Sequence, residues 1–337
     1  MTNRERVKAA IAHKESDRLP VSFDLTQRAL EKICAYYRIQ PDEFKTFIND
    51  SLDYVGIIAP EGKSRMEGNI YINEFGVEFD MSDQNRNMGD WGDIRFSPIS
   101  EPTLAGYDFP KRDPSRYRHW DVAAMEASDN YQILAIEGLF DVAWHMTGFE
   151  DFMYYMAGEE AFAAELLDRA LEFNIGLIET APAVADGVRF GEDWGLQKGL
   201  MMGGTLWKRL LKPRLKEMYA AASKRGLDVF IHSCGDISEL FPDLIEIGVQ
   251  VINPIQPEAM DVEFLKREYG RDIALYGGVS CQHTLPLGTP EEMKRECERL
   301  RDTLGRGGGY IFGPSGAIPT DAKIENLIVL IEFTKML

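Results

Sequence analysis

The sequence predicts an α/β fold: one parallel (β/α)₈ TIM-like barrel with an N-terminal elaboration. Three observations lead there. From about residue 184 onward, short apolar runs alternate with amphipathic helical stretches, the pattern of successive βα units. The 337 residues suit one large barrel or two medium domains. No internal repeat, linker or compositional break divides them, so residues 1–337 read as a single domain. A doubly wound open sheet is the second choice.

The elements follow in chain order. The start, Met1-Thr-Asn-Arg-Glu-Arg-Val-Lys, is charged and helical in pattern, without the apolar core of a signal peptide. Arg18-Leu-Pro-Val-Ser-Phe-Asp, Tyr54-Val-Gly-Ile-Ile-Ala and Gln132-Ile-Leu-Ala-Ile-Glu read as strands. Between the last two, Ile70-Tyr-Ile-Asn-Glu-Phe-Gly-Val-Glu-Phe-Asp alternates apolar and polar residues around a glycine, as a hairpin does. It belongs to an excursion over 66–118 whose later part, 82–118, is rich in Asn, Gly, Pro and Arg and is expected over one end of the barrel. Aromatic residues around 140–154 read as core or cap packing.

Beyond 184 the predicted strands are Gly187-Val-Arg-Phe-Gly, Leu227-Asp-Val-Phe-Ile-His, Val249-Gln-Val-Ile-Asn, Ile273-Ala-Leu-Tyr-Gly-Gly and Gly309-Tyr-Ile-Phe-Gly-Pro. Predicted helices fill 204–224, 236–247, 261–269, 290–304 and 323–335. Thr289-Pro-Glu-Glu is a helix start, with a hydroxyl cap, proline at the first position and acids facing the helix dipole. Asp236 is expected to cap the helix after the Cys234-Gly turn in the same way.

Composition narrows the function. A net charge of -18 argues against nucleic-acid binding, which needs clustered Lys and Arg on the phosphates. No apolar run approaches the ~18 residues of a membrane span. The four cysteines, 34, 234, 281 and 297, form no regular framework and read as thiols of a cytoplasmic protein.

A barrel carries its chemistry at the carboxyl ends of its strands. That position selects Asp24, Glu137, Glu192, Asp193, His232, Cys234, Gln256, Cys281 and Ser315. In Ile231-His-Ser-Cys-Gly-Asp, residues i and i+2 share a strand face, so His232 and Cys234 can both face the mouth. Imidazole and thiolate at that spacing make half of a zinc site. Cys281 is the thiol candidate for a third ligand, and Glu192 or Asp193 the carboxylate candidates. The alternative is a buried cysteine beside a hydrogen-bonded histidine. Adjacent carboxylates cannot both face the axis in extended geometry. One of Glu192 and Asp193 is therefore expected to reach the site as general acid, its pKa raised by apolar walls, while the other caps or pairs nearby.

Other motifs read as structural. Gly307-Gly-Gly precedes a strand instead of joining a strand to a helix, so it reads as a turn and not a phosphate loop. His13 reads as solvated, His119 and His145 as packing beside Trp120 and Trp144, and His283 as a secondary candidate near the mouth. Cys34 and Cys297 lie in helical patterns and read as inert.

Several long stretches carry a resemblance. They are Asn3-Arg-Glu-Arg-Val, His13-Lys-Glu-Ser-Asp-Arg-Leu-Pro-Val, Gly191-Glu-Asp-Trp-Gly-Leu-Gln-Lys-Gly-Leu, His232-Ser-Cys-Gly-Asp and Asn253-Pro-Ile-Gln-Pro. Tyr276-Gly-Gly-Val-Ser-Cys-Gln-His-Thr-Leu-Pro-Leu-Gly-Thr-Pro-Glu-Glu and Gly313-Pro-Ser-Gly-Ala-Ile-Pro complete the set. In this order they resemble the uroporphyrinogen decarboxylase superfamily, and within it the corrinoid-dependent methyltransferases, including the methyltransferase component of O-demethylases. The resemblance implies a distorted barrel with its site at the carboxyl mouth. It also implies a zinc held by a His-x-Cys pair, here His232 and Cys234, and a distant cysteine. Near the final strand, where that cysteine usually stands, this chain has Ser315; Cys281 or Glu192 is the substitute, or an acid works without metal.

The resulting expectation is a methyltransferase that moves a methyl group from a small methylated substrate to cob(I)alamin on a separate corrinoid protein. An aryl methyl ether is the expected donor, because the chain supplies aromatic residues but no cationic clamp. Glu192 or Asp193 would protonate the leaving oxygen, and His232 and Cys234 would bind zinc or shape the pocket. Gln256, Tyr276 and Asp24 would orient the substrate. Dimers are common among proteins of this kind, so a homodimer is compatible. The rival readings are a decarboxylase of a uroporphyrinogen-like or other acid, and a non-catalytic barrel that binds a corrinoid protein.

Overall fold

In the computed structural model, residues 1–56, 65–82, 92–110 and 122–337 are described. The first strand, β1 (Leu52–Gly56), is followed by the antiparallel strands β2 (Arg65–Glu67), β3 (Ile70–Ile72), β4 (Glu78–Asp80) and β5 (Asp93–Phe96). The chain then enters β6 (Tyr131–Glu137), β7 (Gly187–Gly191), the two-residue strands β8 (Gly195–Leu196) and β9 (Gly199–Leu200), and β10 (Asp228–His232). It finishes with β11 (Val251–Ile255), β12 (Ala274–Val279) and β13 (Tyr310–Pro314).

Seven of these strands pair in parallel in the order β1-β6-β7-β10-β11-β12-β13, with helices between them. Strands β11, β12 and β13 are buried at every residue, the mark of parallel strands covered on both faces. The segment 20–25 takes the eighth position. On one side it bridges Val21 to Phe312 and Leu25 to Ile318, and on the other Ser51 N donates to Val21 O at 2.7 Å. The strand expected at 18–24 is thus a run of isolated bridges. Pro20 has no amide to donate there and offers only its carbonyl, to Phe312 N at 2.9 Å.

The predicted helices form, with two differences. The stretch 204–224 divides into Gly204–Leu210 and Lys212–Lys224, because Pro213 cannot continue the hydrogen-bond ladder. The stretch 236–247 begins as a 3₁₀ turn, Ser238–Leu240, before Phe241–Glu246, and Asp236 Oδ1 receives Ser238 N at 3.0 Å. Thr289 caps Pro290–Leu304 through a reciprocal pair with Glu292. Gly307, Gly308 and Gly309 all have positive φ and form the expected turn. Cys34 and Cys297 are buried on their helices.

The hairpin expected around Gly76 is β3 with β4, inside the small sheet β2-β3-β4-β5. This sheet lies against the helix Leu139–Thr147: Phe79 meets the His145 ring edge-on at 5.5 Å, and Ile99 N donates to Met146 O at 2.9 Å. The rest of the expected excursion, 83–91 and 111–118, together with His119 and Trp120, lies outside the described residues. Phe140 and Phe152 are fully buried, as core packing requires. Among the described residues no helix is long and apolar enough to cross a membrane.

The amino end of the barrel is closed by the helix Asn3–Ile11. Val7 and Ala10 pack on Leu52, Tyr131, Phe230, Val251 and Ala274, at or near the starts of their strands. His13 follows this helix with positive φ, and its Nδ1 lies 3.1 Å from Gly270 O, so it is bonded instead of simply solvated. Asp186 ties the helix down: it pairs with Arg4 (3.0 Å) and Lys8 (2.7 Å) and accepts Gln132 N at 3.0 Å. Replacing Asp186 with Ala orphans that amide and takes the carboxylate from both cations, leaving Arg4 only its backbone carbonyl acceptors. The expected loss is about 2 kcal/mol, read as a lower urea midpoint with faster amide exchange in residues 3–11. Unchanged exchange there would separate Asp186 from the closure.

Asp50 sits at the seam, where its carboxylate accepts Phe23 N (3.3 Å) and Leu52 N (3.0 Å). Burial pushes its carboxyl up to about 6. That exceeds the unfolded value of about 3.9, so folding binds a proton; the resulting stability is complete below the unfolded value and lost as pH rises through the folded one. The advantage of wild type over Asp50→Asn should shrink by roughly 2 kcal/mol between about pH 4 and pH 7. Urea titrations at both ends measure it, and a constant difference would assign the titration elsewhere.

Candidate functional site

The mouth is built on three neighbouring strands, β7, β10 and β11. Their register sets His232 beside Gly191 on one side and Asn253 on the other. His232 ends β10, and Cys234 follows on the same face, as its i+2 spacing predicts. Asp193, just beyond β7, accepts Cys234 N on Oδ1 at 2.8 Å. Cys234 Sγ lies 3.6 Å from His232 Nε2, and Asp193 Oδ1 lies 4.0 Å from the same nitrogen.

One potential ligand atom from each of Asp193, His232 and Cys234 falls within 4.8 Å of the others. An imidazole, a thiolate and a carboxylate converging at the mouth are the donor types of a zinc site that keeps a position open. Burial, reinforced by Arg189, lowers the His232 pKa, so the ring is neutral, as a metal ligand must be. Burial and then the charge of Asp193 raise the Cys234 thiol. A divalent cation reverses that penalty by pairing with the thiolate.

The turn that carries Cys234 is held by backbone contacts. Gly195 and Gly235 touch so closely that a Cβ on either would lie 2.3–2.4 Å from the other strand's backbone. Ser233 Oγ receives Trp194 N at 3.0 Å, and Gly235 N donates to Gln256 Oε1.

On the other edge of the imidazole stands Arg189. Its Nη2 is 2.7 Å from His232 Nδ1, and its guanidinium carbon lies 5.1 Å from the centroid of the Tyr54 ring. Asn253 Oδ1 is also 2.7 Å from Nδ1. Among the described residues no carboxylate lies at ion-pair distance from Arg189. This overturns the expectation that the mouth has no cationic clamp. The composition hides Arg189, because one inward guanidinium vanishes among 37 basic residues. Period-two placement along β7 would have found it, and the same rule on β1 and β11 finds Tyr54 and Asn253.

The expected residues are distributed as follows. Of the adjacent acids, Asp193 reaches the cluster. Glu192 is fully buried, and its two oxygens receive Leu139 N (2.7 Å), Phe140 N (3.1 Å) and Trp194 Nε1 (3.1 Å). It thus caps the helix Leu139–Thr147 from another strand, which needs the bare Cα of Gly138 beside it. Burial and then Asp141 raise its pKa; the three donors oppose this. That helix also delivers Asp141, which the sequence reading passed over, and His145, which it read as packing. Asp141 accepts Trp144 Nε1 at 3.0 Å, and burial with Asp193 lifts its carboxyl to about 7. His145 forms an ion pair with Glu137 and is raised by it against the effect of burial.

Gln256 is buried and committed to the Gly235 amide. Tyr276 is buried, with its hydroxyl 3.4 Å from Ser22 O. Asp24 is exposed at the mouth, where its charge reaches Arg189 and His232. Cys281 does not join the cluster: its thiol faces Gly316 O at 3.5 Å, its amide donates to Ser315 Oγ at 3.2 Å, and burial pushes it up to about 12. His283 is exposed beside the short helix Thr284–Leu287.

Comparisons with known proteins give a family and a fold. A model of Uroporphyrinogen decarboxylase (URO-D) matches residues 129–337, a span that includes Arg189, Asp193, His232, Cys234 and Asn253. A curated methylated-thiol–coenzyme M methyltransferase from Methanosarcina mazei is 22% identical over 188 residues, covering 56% of this chain and 48% of the relative. The match therefore spans about half the length of that relative. A solved methyltransferase from Methanosarcina mazei superposes with a TM-score of 0.74 at 18% identity, covering 100% of this chain and 99% of the other, which fixes the fold. With more than half of its length matched by the family model, the chain belongs to the uroporphyrinogen decarboxylase (URO-D) family.

Proposed function

We propose that the chain is a corrinoid-dependent methyltransferase that takes a methyl group from a small O- or S-methylated acid and passes it to cobalt on a separate corrinoid protein. The convergence of Asp193, His232 and Cys234 beside the unpaired guanidinium of Arg189 carries this reading. It is supported by the similarity to a methyltransferase that acts on methylated thiols.

Asp193, His232 and Cys234 would hold a divalent cation such as zinc. Bound there, it would act as a Lewis acid on the heteroatom that gives up the methyl group. Arg189 binds the acid group of the substrate through its planar donors, and the Tyr54 ring flanks it. An aryl methyl ether bearing a carboxylate meets both contacts, and so does a methylthio acid. Glu192 positions the helix Leu139–Thr147, and Gln256 positions the Cys234 turn. Asp141 holds a proton near neutral pH next to Asp193.

A decarboxylase remains the second reading, because Arg189 is the kind of cation it requires. A panel of methoxybenzoates, methylthio acids and their uncharged amides, assayed with cob(I)alamin for methylcobalamin absorbance, separates the two. Turnover should favour the acids, and Arg189→Leu should raise KM for them roughly 10- to 100-fold while leaving the amides unaffected. Cys234→Ser should abolish bound metal and turnover together. Release of carbon dioxide without methylcobalamin would replace the proposal with decarboxylation.

Glu192→Gln discriminates a positioning residue from an acid. Gln presents one acceptor where three donors converge, so about 2 kcal/mol of stability should be lost. Residual turnover should keep the wild-type pH profile. A missing basic limb in that profile would return Glu192 to the role of proton donor.

A further inference from the structure

We propose that Arg189 and Asn253 compete for Nδ1 of His232, so that an anion bound at Arg189 releases the opposite ring nitrogen to take a divalent metal. This rests on the reading of Asp193, His232 and Cys234 as a metal centre. Nδ1 lies 2.7 Å from Arg189 Nη2 and 2.7 Å from Asn253 Oδ1. A guanidinium nitrogen only donates and an amide oxygen only accepts. One ring nitrogen cannot serve both at once.

Each choice fixes the tautomer. When Arg189 donates to Nδ1, the proton of the neutral ring sits on Nε2, directed toward Cys234 Sγ and Asp193 Oδ1. Nε2 then has no lone pair for a metal. When Nδ1 carries the proton and donates it to Asn253, the Nε2 lone pair faces those same two ligands. Passing from the first state to the second requires Nη2 to find another acceptor. The described residues offer no carboxylate at ion-pair distance: Asp24 acts on the guanidinium only through its field, and Tyr54 offers the face of its ring and a neutral hydroxyl, a weaker acceptor than an ionised group. The acceptor therefore comes with the ligand, as a carboxylate or sulfonate that the guanidinium grips with two donors. Electrostatics act in the same direction, because the anion neutralises a cation standing beside the metal. Metal and anion should each tighten the other by the same factor.

The test uses the whole chain, metal-free and ¹⁵N-labelled, with methanesulfonate as a weakly coordinating probe at constant ionic strength. Long-range ¹H–¹⁵N spectra of the five histidines, with His232 assigned by His232→Gln, report the tautomer. The expected result is Nε2–H without the anion and Nδ1–H with it. In parallel, Co(II) titrations followed by the thiolate charge-transfer band should show affinity rising about 10-fold or more with methanesulfonate. Arg189→Leu should bind Co(II) equally well with and without the anion, and Asn253→Leu should lose the gain. An Nδ1–H ring in the anion-free protein, or one locked as Nε2–H under both conditions, overturns the proposal. So does a cobalt affinity indifferent to the anion in wild type, which needs no variant and leaves the metal centre standing. Absence of the thiolate band under every condition removes the metal centre and the proposal together.

Discussion

One imidazole organises the mouth of this barrel. His232 has polar partners on both ring edges, Arg189 and Asn253 on one and Cys234 and Asp193 on the other. All five residues come from β7, β10 and β11 or the turns directly after them, so their mutual placement depends on two parallel ladders. A slip of one residue in either ladder would turn its whole set toward the outer helices. The site is therefore as rigid as the sheet that carries it.

The surrounding residues act on that ring at one remove. His232 O accepts Glu192 N at 2.7 Å, which starts the turn leading to Asp193. Glu192 in turn spends its carboxylate on the first amides of the helix Leu139–Thr147 and on the Trp194 indole. A fully buried acid is tolerable there because three donors and a helix amino end converge on it. The contact between Gly195 and Gly235 allows the β8–β9 hairpin to press on the Cys234 turn, so thiol position is set by backbone packing and not by a flexible loop.

Much of this was legible in the sequence. Uninterrupted apolar runs announced the strands after 184, and Thr289-Pro announced its helix, because both signals are local. The His232–Cys234 pair was legible for the same reason, since a two-residue spacing on a strand fixes a shared face. Asp141 was not, and the period-two rule that turns Arg189 and Asn253 inward does not show that they meet His232, because that depends on which strands and helices become neighbours. The roles of Glu192 and Asp193 also diverge only in three dimensions: one turns back to a helix that begins at Leu139, the other forward to Cys234. Gln256 had the right position on its strand, but its oxygen meets a backbone amide from the neighbouring turn, a contact no spacing rule encodes.

An acidic protein with the proposed anion-binding centre is no contradiction. Most of the excess negative charge is carried on the surface, where salt screens it within about 10 Å. Arg189 lies inside the barrel against Tyr54, where screening is weak and a charge without a carboxylate partner is costly to maintain. Asp24 tunes its field from the rim without satisfying its donors. Local geometry, not net charge, therefore decides which ligand is recognised. Under the proposed function, the same guanidinium would hold an acid and, until the acid arrives, keep a proton on the wrong nitrogen of His232, which would couple recognition of the substrate to assembly of the centre that acts on it.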